Sequence, residues 1–196
     1  MFNRILTPNP DMLSLHQSAR QVVQSIYDID ERCIDAWADN GSTDTVVGGA
    51  PAGTAFARQP TINADKLAIF SGSTLQLLSG FKVCAGGTHA NGGGLTAGLG
   101  LDLVNSASTR VVLMAPTLQA TGATGIWWAE FDVMFTSSGG AGLVYSRQMI
   151  AGAWFLYRAA FTASTFYSKS QSINVMAAFT AAGSLTLDFL HVGLYR

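Results

Sequence analysis

Charged residues are scarce in this chain. Lysine, arginine, aspartate and glutamate make up 12% of its 196 residues, against about 25% in an average soluble domain. Two explanations are open: hydroxyl and amide groups hydrate the surface instead, or large areas are buried between subunits, where charges are depleted. We favour the second explanation. With a net charge of −1 and no cluster of lysine and arginine, we expect no nucleic-acid partner.

Cysteines and long uninterrupted apolar runs are also few. The two cysteines, Cys33 and Cys84, lie among apolar residues and make no disulfide framework, which favours assembly in a reducing cytoplasm. The N-terminus lacks the basic flank and apolar stretch of a secretory signal. A long charge-free run, residues 111–129, is interrupted by proline and glycine. We therefore expect neither export nor a membrane partner.

Residues that carry catalytic or metal chemistry are few. None of the three histidines, His16, His89 and His191, has a second ligand at a recognisable metal spacing, so no metal or cofactor is predicted. Cys84 and His89 are the nearest thiol and imidazole pair, and a nucleophilic role for them is the alternative to a core cysteine and a loop histidine. We favour the structural interpretation of both residues.

Two further patterns allow a catalytic alternative. Glu130 and Asp132 share one face of a predicted strand at a separation of roughly 7 Å, which glycosidase carboxylates can also show; a polar outer strand face is the simpler explanation. The glycine run 92–94 lacks the lysine and hydroxyl residue of a phosphate loop, and no helix follows it. The sequence therefore predicts a protein that is not an enzyme.

The N-terminal region carries apolar residues in an unbroken alternation of three and four. This is the spacing of a coiled-coil seam, and it predicts a helix from residue 10 or 11 to about residue 39. Because Ile26 and Ile29 occupy one a and one d position, we expect a homotrimer. The alternative is an amphipathic helix that packs on its own β-domain. The predicted interface residues are Met12, Leu15, Ala19, Val22, Ile26, Ile29, Cys33 and Ala36.

Three regions follow from composition. Residues 1–40 are predicted to form the helical oligomerisation arm, and residues 41–60, rich in glycine and proline, a linker. Residues 61–196 show the period-2 alternation of strands, with no second helical pattern between them. The fold class is therefore mainly β: an N-terminal α-helical arm followed by an antiparallel β-sandwich, most simply a jelly roll.

Ten strands are predicted in the β-region. Trp127, Ala129, Phe131, Val133 and Phe135 alternate inward along the clearest of them. Leu185, Leu187 and Phe189 are expected to do the same in the last. The predicted strands cover residues 67–70, 74–78, 81–85, 98–104, 110–115, 127–136, 141–150, 155–162, 172–179 and 184–195.

The second half of the chain resembles small structural proteins of tailed bacteriophages. An aromatic-led strand, Gly-Ile-Trp-Trp-Ala-Glu-Phe-Asp-Val at 125–133, is followed by a turn rich in serine and glycine and then by the terminal run Leu-Thr-Leu-Asp-Phe-Leu-His-Val at 185–192. The resemblance covers about the last 75 residues and does not include the heptad arm.

The resemblance implies a β-sandwich subunit that decorates or cements a capsid, or forms a spike or tail appendage, often as a trimer. We therefore expect a non-enzymatic virion protein, a trimeric capsid cement or decoration protein assembled in the host cytoplasm. Its expected partners are its own copies and the major capsid protein or another virion protein. The alternative is a tail fibre or spike subunit that binds a host surface glycan.

Overall fold

The computed structural model describes residues 33–38, 44–47, 53–62, 80–91, 96–121, 124–136, 140–162, 170–180 and 183–195. The chain divides into a unit of residues 1–33 and a unit of residues 34–196. The predicted seam residues from Met12 to Ile29 lie outside the described residues, as do the predicted strands 67–70 and 74–78. In the described part the chain forms strands and no helix, and therefore no helix that could cross a membrane.

Fourteen strands are described, and they form two sheets. The eight-stranded sheet, which we call sheet A, has the order β1-β14-β5-β9-β10-β11, with β13 paired to β2 and β5. The six-stranded sheet B has the order β3-β12-β6-β7, with β4 paired to β12 and β8 to β6. The strands are β1 Cys33–Ala38, β2 Asp44–Val47, β3 Thr54–Ala55, β4 Thr61–Ile62, β5 Gly80–Asn91, β6 Thr96–Asn105, β7 Arg110–Met114, β8 Gln119–Ala120, β9 Thr124–Phe135, β10 Ala141–Ile150, β11 Ala153–Thr162, β12 Gln171–Phe179, β13 Gly183–Leu187 and β14 Phe189–Tyr195.

The two sheets pack as an antiparallel sandwich around one apolar core. The pairs β5·β9, β9·β10 and β10·β11 build sheet A and the pairs β6·β12 and β6·β7 build sheet B, all antiparallel. Phe56 of the β3–β4 segment stacks on Trp127 of sheet A with ring centroids 5.7 Å apart. Gln148 of β10 donates a hydrogen bond to the carbonyl oxygen of Leu99 in β6. The mainly β sandwich predicted from the alternation is confirmed.

The inward positions of β9 are buried as predicted. Trp127, Ala129, Phe131, Val133 and Phe135 all lie in the core. Five consecutive odd positions fill it because a strand turns alternate side chains to the same side. Strand β10 then follows the predicted bounds, and a two-residue turn, Ala151 and Gly152 with φ of 49° and 84°, leads into β11.

The N-terminal helix prediction is wrong for its last part. Cys33–Ala38 forms strand β1, which lies beside β14 in sheet A, so Cys33 and Ala36 belong to a strand and not to a helical seam. The predicted linker also contains strand β2 and strand β3. In both regions the sheet supplies backbone hydrogen-bond partners from distant parts of the chain, which local periodicity cannot reveal.

The last predicted strand is broken at Asp188. Its amide donates to the carbonyl oxygen of Gly86, and Thr186 donates its hydroxyl to the Asp188 carboxylate at 2.8 Å. The break shifts the alternation by one residue, so Leu190 and Val192 enter the core while Phe189 lies on the opposite side, partly exposed. The predicted inward position of Phe189 is therefore wrong, whereas those of Leu185 and Leu187 are confirmed.

Candidate interaction surface on the eight-stranded sheet

The side of sheet A that points away from sheet B is the candidate functional surface, and we call it the outer face. Strands β14, β5, β9, β10 and β11 each contribute alternate side chains to it, and their register arranges these in rows across the strands. The central row is His191, Cys84, Glu130, Arg147 and Leu156. The row on one side is Gly193, Lys82, Asp132, Tyr145 and Arg158, and the row on the other is Phe189, Gly86, Trp128, Met149 and Trp154.

An ion network occupies the middle of this face. Lys82 Nζ lies 2.6 Å from Glu130 Oε1 and 3.9 Å from Asp132 Oδ1. Arg147 Nη2 donates to the same Glu130 oxygen from the opposite side. Although Glu130 points outward, it is only 6% exposed, because the basic side chains of the two neighbouring strands lie against it. Glu130 therefore lies on a polar outer strand face, but its own side chain is buried in the network.

The network fixes the charge state of Glu130. Burial by itself would raise the pKa of this carboxyl group, but the hydrogen bonds from Lys82 and Arg147 outweigh burial and lower the pKa below its ordinary value. In return, the pKa of Lys82 is raised: burial opposes the shift, and the hydrogen bond to Glu130 overcomes it. Glu130, Lys82 and Arg147 are thus charged at neutral pH, so they form a fixed polar patch and Glu130 is not poised as a proton donor.

Large apolar side chains surround the network and are open to solvent. Trp154 is 63% exposed, Leu156 76% and Ile126 62%. Trp128 and Trp154 meet edge to face with ring centroids 6.0 Å apart. The guanidinium of Arg158 lies over the ring of Tyr145, 5.7 Å from its centroid. Flat rings and exposed charged donors on one face can bind either another protein or a ring-shaped polar ligand.

The structure separates the residues of the predicted thiol and imidazole pair. Cys84 lies on the outer face, while His89 on the same strand points into the sandwich, so they cannot form a nucleophilic dyad. The cross-strand neighbour of Cys84 is instead His191, which sequence separation does not reveal. Burial raises the pKa of the Cys84 thiol, so the thiolate needed for nucleophilic attack is disfavoured.

His89 is buried with neither ring nitrogen hydrogen-bonded. Burial lowers its pKa, so the neutral imidazole is favoured at this end of the core. In the part of the chain that the structure describes, no three histidine, cysteine or acidic side chains come together as metal ligands. The described residues thus offer a polar and apolar binding surface. They bring neither of the two alternative catalytic pairs, Cys84 with His89 and Glu130 with Asp132, together in a reactive form.

Comparisons with known proteins describe a distant structural likeness. No protein-family model and no curated protein sequence matches the chain. Among solved structures, the basic winged bean lectin with Tn-antigen is 9% identical with a TM-score of 0.43, over 84% of this chain and 93% of the lectin. The lectin UEA-II with galactose is 8% identical with a TM-score of 0.41, over 84% of this chain and 92% of that one.

A viral protein shows a weaker likeness. A chain from the structure of infectious bursal disease virus, Gt strain, is 12% identical with a TM-score of 0.29, over 83% of this chain and 37% of the viral one. At TM-scores below 0.5 these likenesses assign no family and no function.

Proposed function

We propose that this chain is a non-enzymatic structural subunit of a virion, a trimeric cement or decoration protein on the capsid of a tailed bacteriophage. It assembles in the host cytoplasm as a jelly-roll-type sandwich. It docks through the outer face of sheet A on the major capsid protein or another virion protein. The proposal needs neither nucleic acid nor a membrane as partner.

The observation that carries the proposal is the set of exposed apolar side chains on one face of one sheet. Their number matters, because single exposed apolar residues are normal, whereas a group of them with polar neighbours is typical of protein interaction sites. The set is Ile126, Tyr145, Trp154, Leu156 and Phe189. The low charge of the whole chain supports the same interpretation.

The non-enzymatic part of the proposal is supported by the state of the acidic pair. A glycosidase needs one carboxylic acid with a raised pKa to protonate the leaving oxygen. The pKa of Glu130 is lowered, and Asp132 shares the same lysine. We therefore expect the double variant Glu130→Gln, Asp132→Asn to bind particles as the wild type does. Reducing-sugar release from a glycan substrate should be the same for the double variant and the wild type.

The docking proposal is tested by adding the purified protein back to particles that lack it. We expect wild-type protein to bind and Ile126→Lys, on the outer face of sheet A, to bind weakly. The matched control is Val112→Lys, which places the same charge at an exposed apolar position of sheet B. Equal binding of both variants would contradict docking through sheet A.

The location is tested on intact virions. Gold-labelled antibody against the chain should mark many sites over the head. If neither labelling nor mass spectrometry detected the chain in purified particles, any virion role would be contradicted.

Trimer formation is proposed to rest on the seam from Met12 to Ile29. Replacing Ile26 and Ile29 by Asp brings two charges per chain into a desolvated seam, at a cost of several kcal/mol. We expect loss of the trimer by sedimentation equilibrium while the β-sandwich stays folded. An unchanged trimer in the double variant would show that the seam does not hold it.

A second candidate function is an appendage subunit that binds a host surface glycan. It is favoured by the position of Trp128 and Trp154 one row from Glu130 and Arg147, because sugar binding combines an aromatic ring with charged hydrogen-bond partners. A glycan array should then show binding that Trp154→Ala removes and Val112→Ala retains. Gold label confined to the tail would agree with this candidate.

A further inference from the structure

Among the described strands, β11 is an edge strand of sheet A. It is the last strand in the sheet order, and among the described strands it pairs along its length only with β10. It is ten residues long, from Ala153 to Thr162, whereas the other terminal strands of the two sheets have six residues in β1, five in β7 and two in β3. Short edge strands and covered edges protect a sheet from pairing with other chains. Strand β11 is long, and no described strand pairs with it on the side away from β10.

Strand β11 also carries exposed apolar side chains. Leu156 and Trp154 are the two most exposed large apolar side chains of the described residues, at 76% and 63%. Arg158 is the single charged residue of the strand. Natural edges are usually guarded by several charges or by proline, so β11 has the composition of a strand that is paired in use.

We propose that two copies of this chain pair through β11, antiparallel and across a twofold axis, so that the two eight-stranded sheets become one continuous sheet. A second copy is the occupant that the edge fits, because an antiparallel edge strand is complementary to itself: each copy offers the backbone donors and acceptors that the other lacks. The pairing uses Trp154 and Leu156, which also belong to the exposed set on the outer face, and it requires nothing from residues 1–32.

The side chains select one register for this pair. If the two outer faces are to remain on the same side, outward residues must lie opposite outward residues. A register centred on Leu156 places Leu156 against its own copy and Trp154 against Arg158 of the other chain. The guanidinium, which already lies over the Tyr145 ring, then meets a second aromatic face from the partner copy.

A register centred on Arg158 is less favourable than one centred on Leu156. A register centred on Arg158 sets two guanidinium groups directly opposite each other, which destabilises an antiparallel pair. In the register centred on Leu156 the two Arg158 residues are four positions apart, roughly 14 Å along the strand, beyond the screening length of about 8 Å at physiological salt. Pairing centred on Leu156 therefore keeps the two guanidinium groups apart.

The register is tested by cysteine cross-linking of the full chain under mild oxidation, read on a non-reducing gel. Leu156→Cys should form a covalent dimer by itself, because residues opposite each other in a pair meet the Cα spacing of a disulfide, about 4.4–6.8 Å. Trp154→Cys and Arg158→Cys should not cross-link alone but should cross-link when mixed. The control is Ile126→Cys, which is 62% exposed on the same face but lies away from the edge. Cys33 and Cys84 are present in every variant.

A second measurement does not depend on disulfides. Leu156→Lys should abolish the twofold association of the full chain in sedimentation velocity, while Ile126→Lys should leave it unchanged, with both variants retaining the wild-type thermal unfolding. The proposal is overturned if Leu156→Cys cross-links no more than Ile126→Cys, or if Leu156→Lys sediments as wild type. Cross-linking of Trp154→Cys alone at the level of the mixture overturns the register.

Discussion

The two sheets differ in how much of their outer faces the chain itself covers. On sheet B even polar outward residues are buried: Asp102 is 1% exposed, beside Asn174 on the next strand. On sheet A the outward positions of β11 are open to solvent, and those of β9 are buried at Glu130 and open at Ile126. One outer face is therefore largely completed within the chain, and the other presents unburied apolar area.

The cover on sheet B comes from the segment after β7. A Cβ atom at Gly98 would lie 2.4 Å from the carbonyl oxygen of Thr117, and one at Gly100 would lie 2.6 Å from Pro116 Cδ. Glycine is required at both positions because the covering backbone and proline ring approach the strand so closely. An apolar outer face can thus be completed within the chain, as on sheet B, and among the described residues no comparable segment covers the exposed side chains of sheet A.

The core between the sheets should give the largest effect of substitution. Phe131→Ala removes a fully buried ring from the middle of β9 and should cost about 3–5 kcal/mol of unfolding free energy. Ile126→Ala, on the same strand but on the open outer face, should cost less than about 1 kcal/mol. Urea unfolding of both variants measures the contrast. Similar losses would mean that Ile126 is packed as firmly as the core.

The next effect compares two apolar side chains on the two outer faces. Met176 is 4% exposed beneath the cover of sheet B, so Met176→Ala should cost about 2–4 kcal/mol. Leu156→Ala on the open edge of sheet A should change stability by less than about 0.5 kcal/mol in the unpaired chain. Thermal unfolding at low protein concentration compares them. A large loss for Leu156→Ala under those conditions would show that its side chain is packed within the chain.

The sequence predicts the strands better than it predicts the surface. Period-2 alternation identifies β9 and its buried face because each of the odd positions carries an apolar residue. The outer-face rows depend on register between strands, for example Cys84 beside Glu130 and Glu130 beside Arg147, and such pairs join distant parts of the chain. Periodicity along one strand contains no information about its register with another.

The wrong predictions have the same physical origin. Residues 33–38 continue the spacing of a helical seam, yet β14 offers them a ladder of backbone hydrogen bonds that a local pattern cannot reveal. Phe189 continues an alternating pattern, yet the Asp188 amide bonds to Gly86 and reverses the side on which the following residues lie. Each departure is decided by a contact between residues far apart in the sequence.

The covering segment of sheet B can be displaced directly. Gly98→Ala introduces a methyl group where a backbone carbonyl lies, and relief requires the segment around Thr117 to move, at a cost of about 1–3 kcal/mol. Ala160→Val adds larger bulk on the exposed side of β11 and should be nearly neutral, within about 0.5 kcal/mol. Chemical denaturation separates the two. A neutral Gly98→Ala would mean that the cover adapts without cost.

The smallest expected effect concerns the ion network on the outer face of sheet A, in which the Glu130 side chain is buried. Glu130→Gln should cost about 1–2 kcal/mol at neutral pH, since Lys82 and Arg147 lose a charged acceptor but can be hydrated instead. Because the pKa of Glu130 in the folded protein lies below its ordinary value of 4.5, the carboxylate stabilises the fold above that value, and this contribution is lost as the pH falls through the folded pKa. Urea titrations at successively lower pH should show the wild type approaching the variant, with Asp132→Asn as the control that leaves the Glu130 contacts in place. A difference that persists unchanged into strong acid would assign the stabilisation to packing of the side chain and not to its charge.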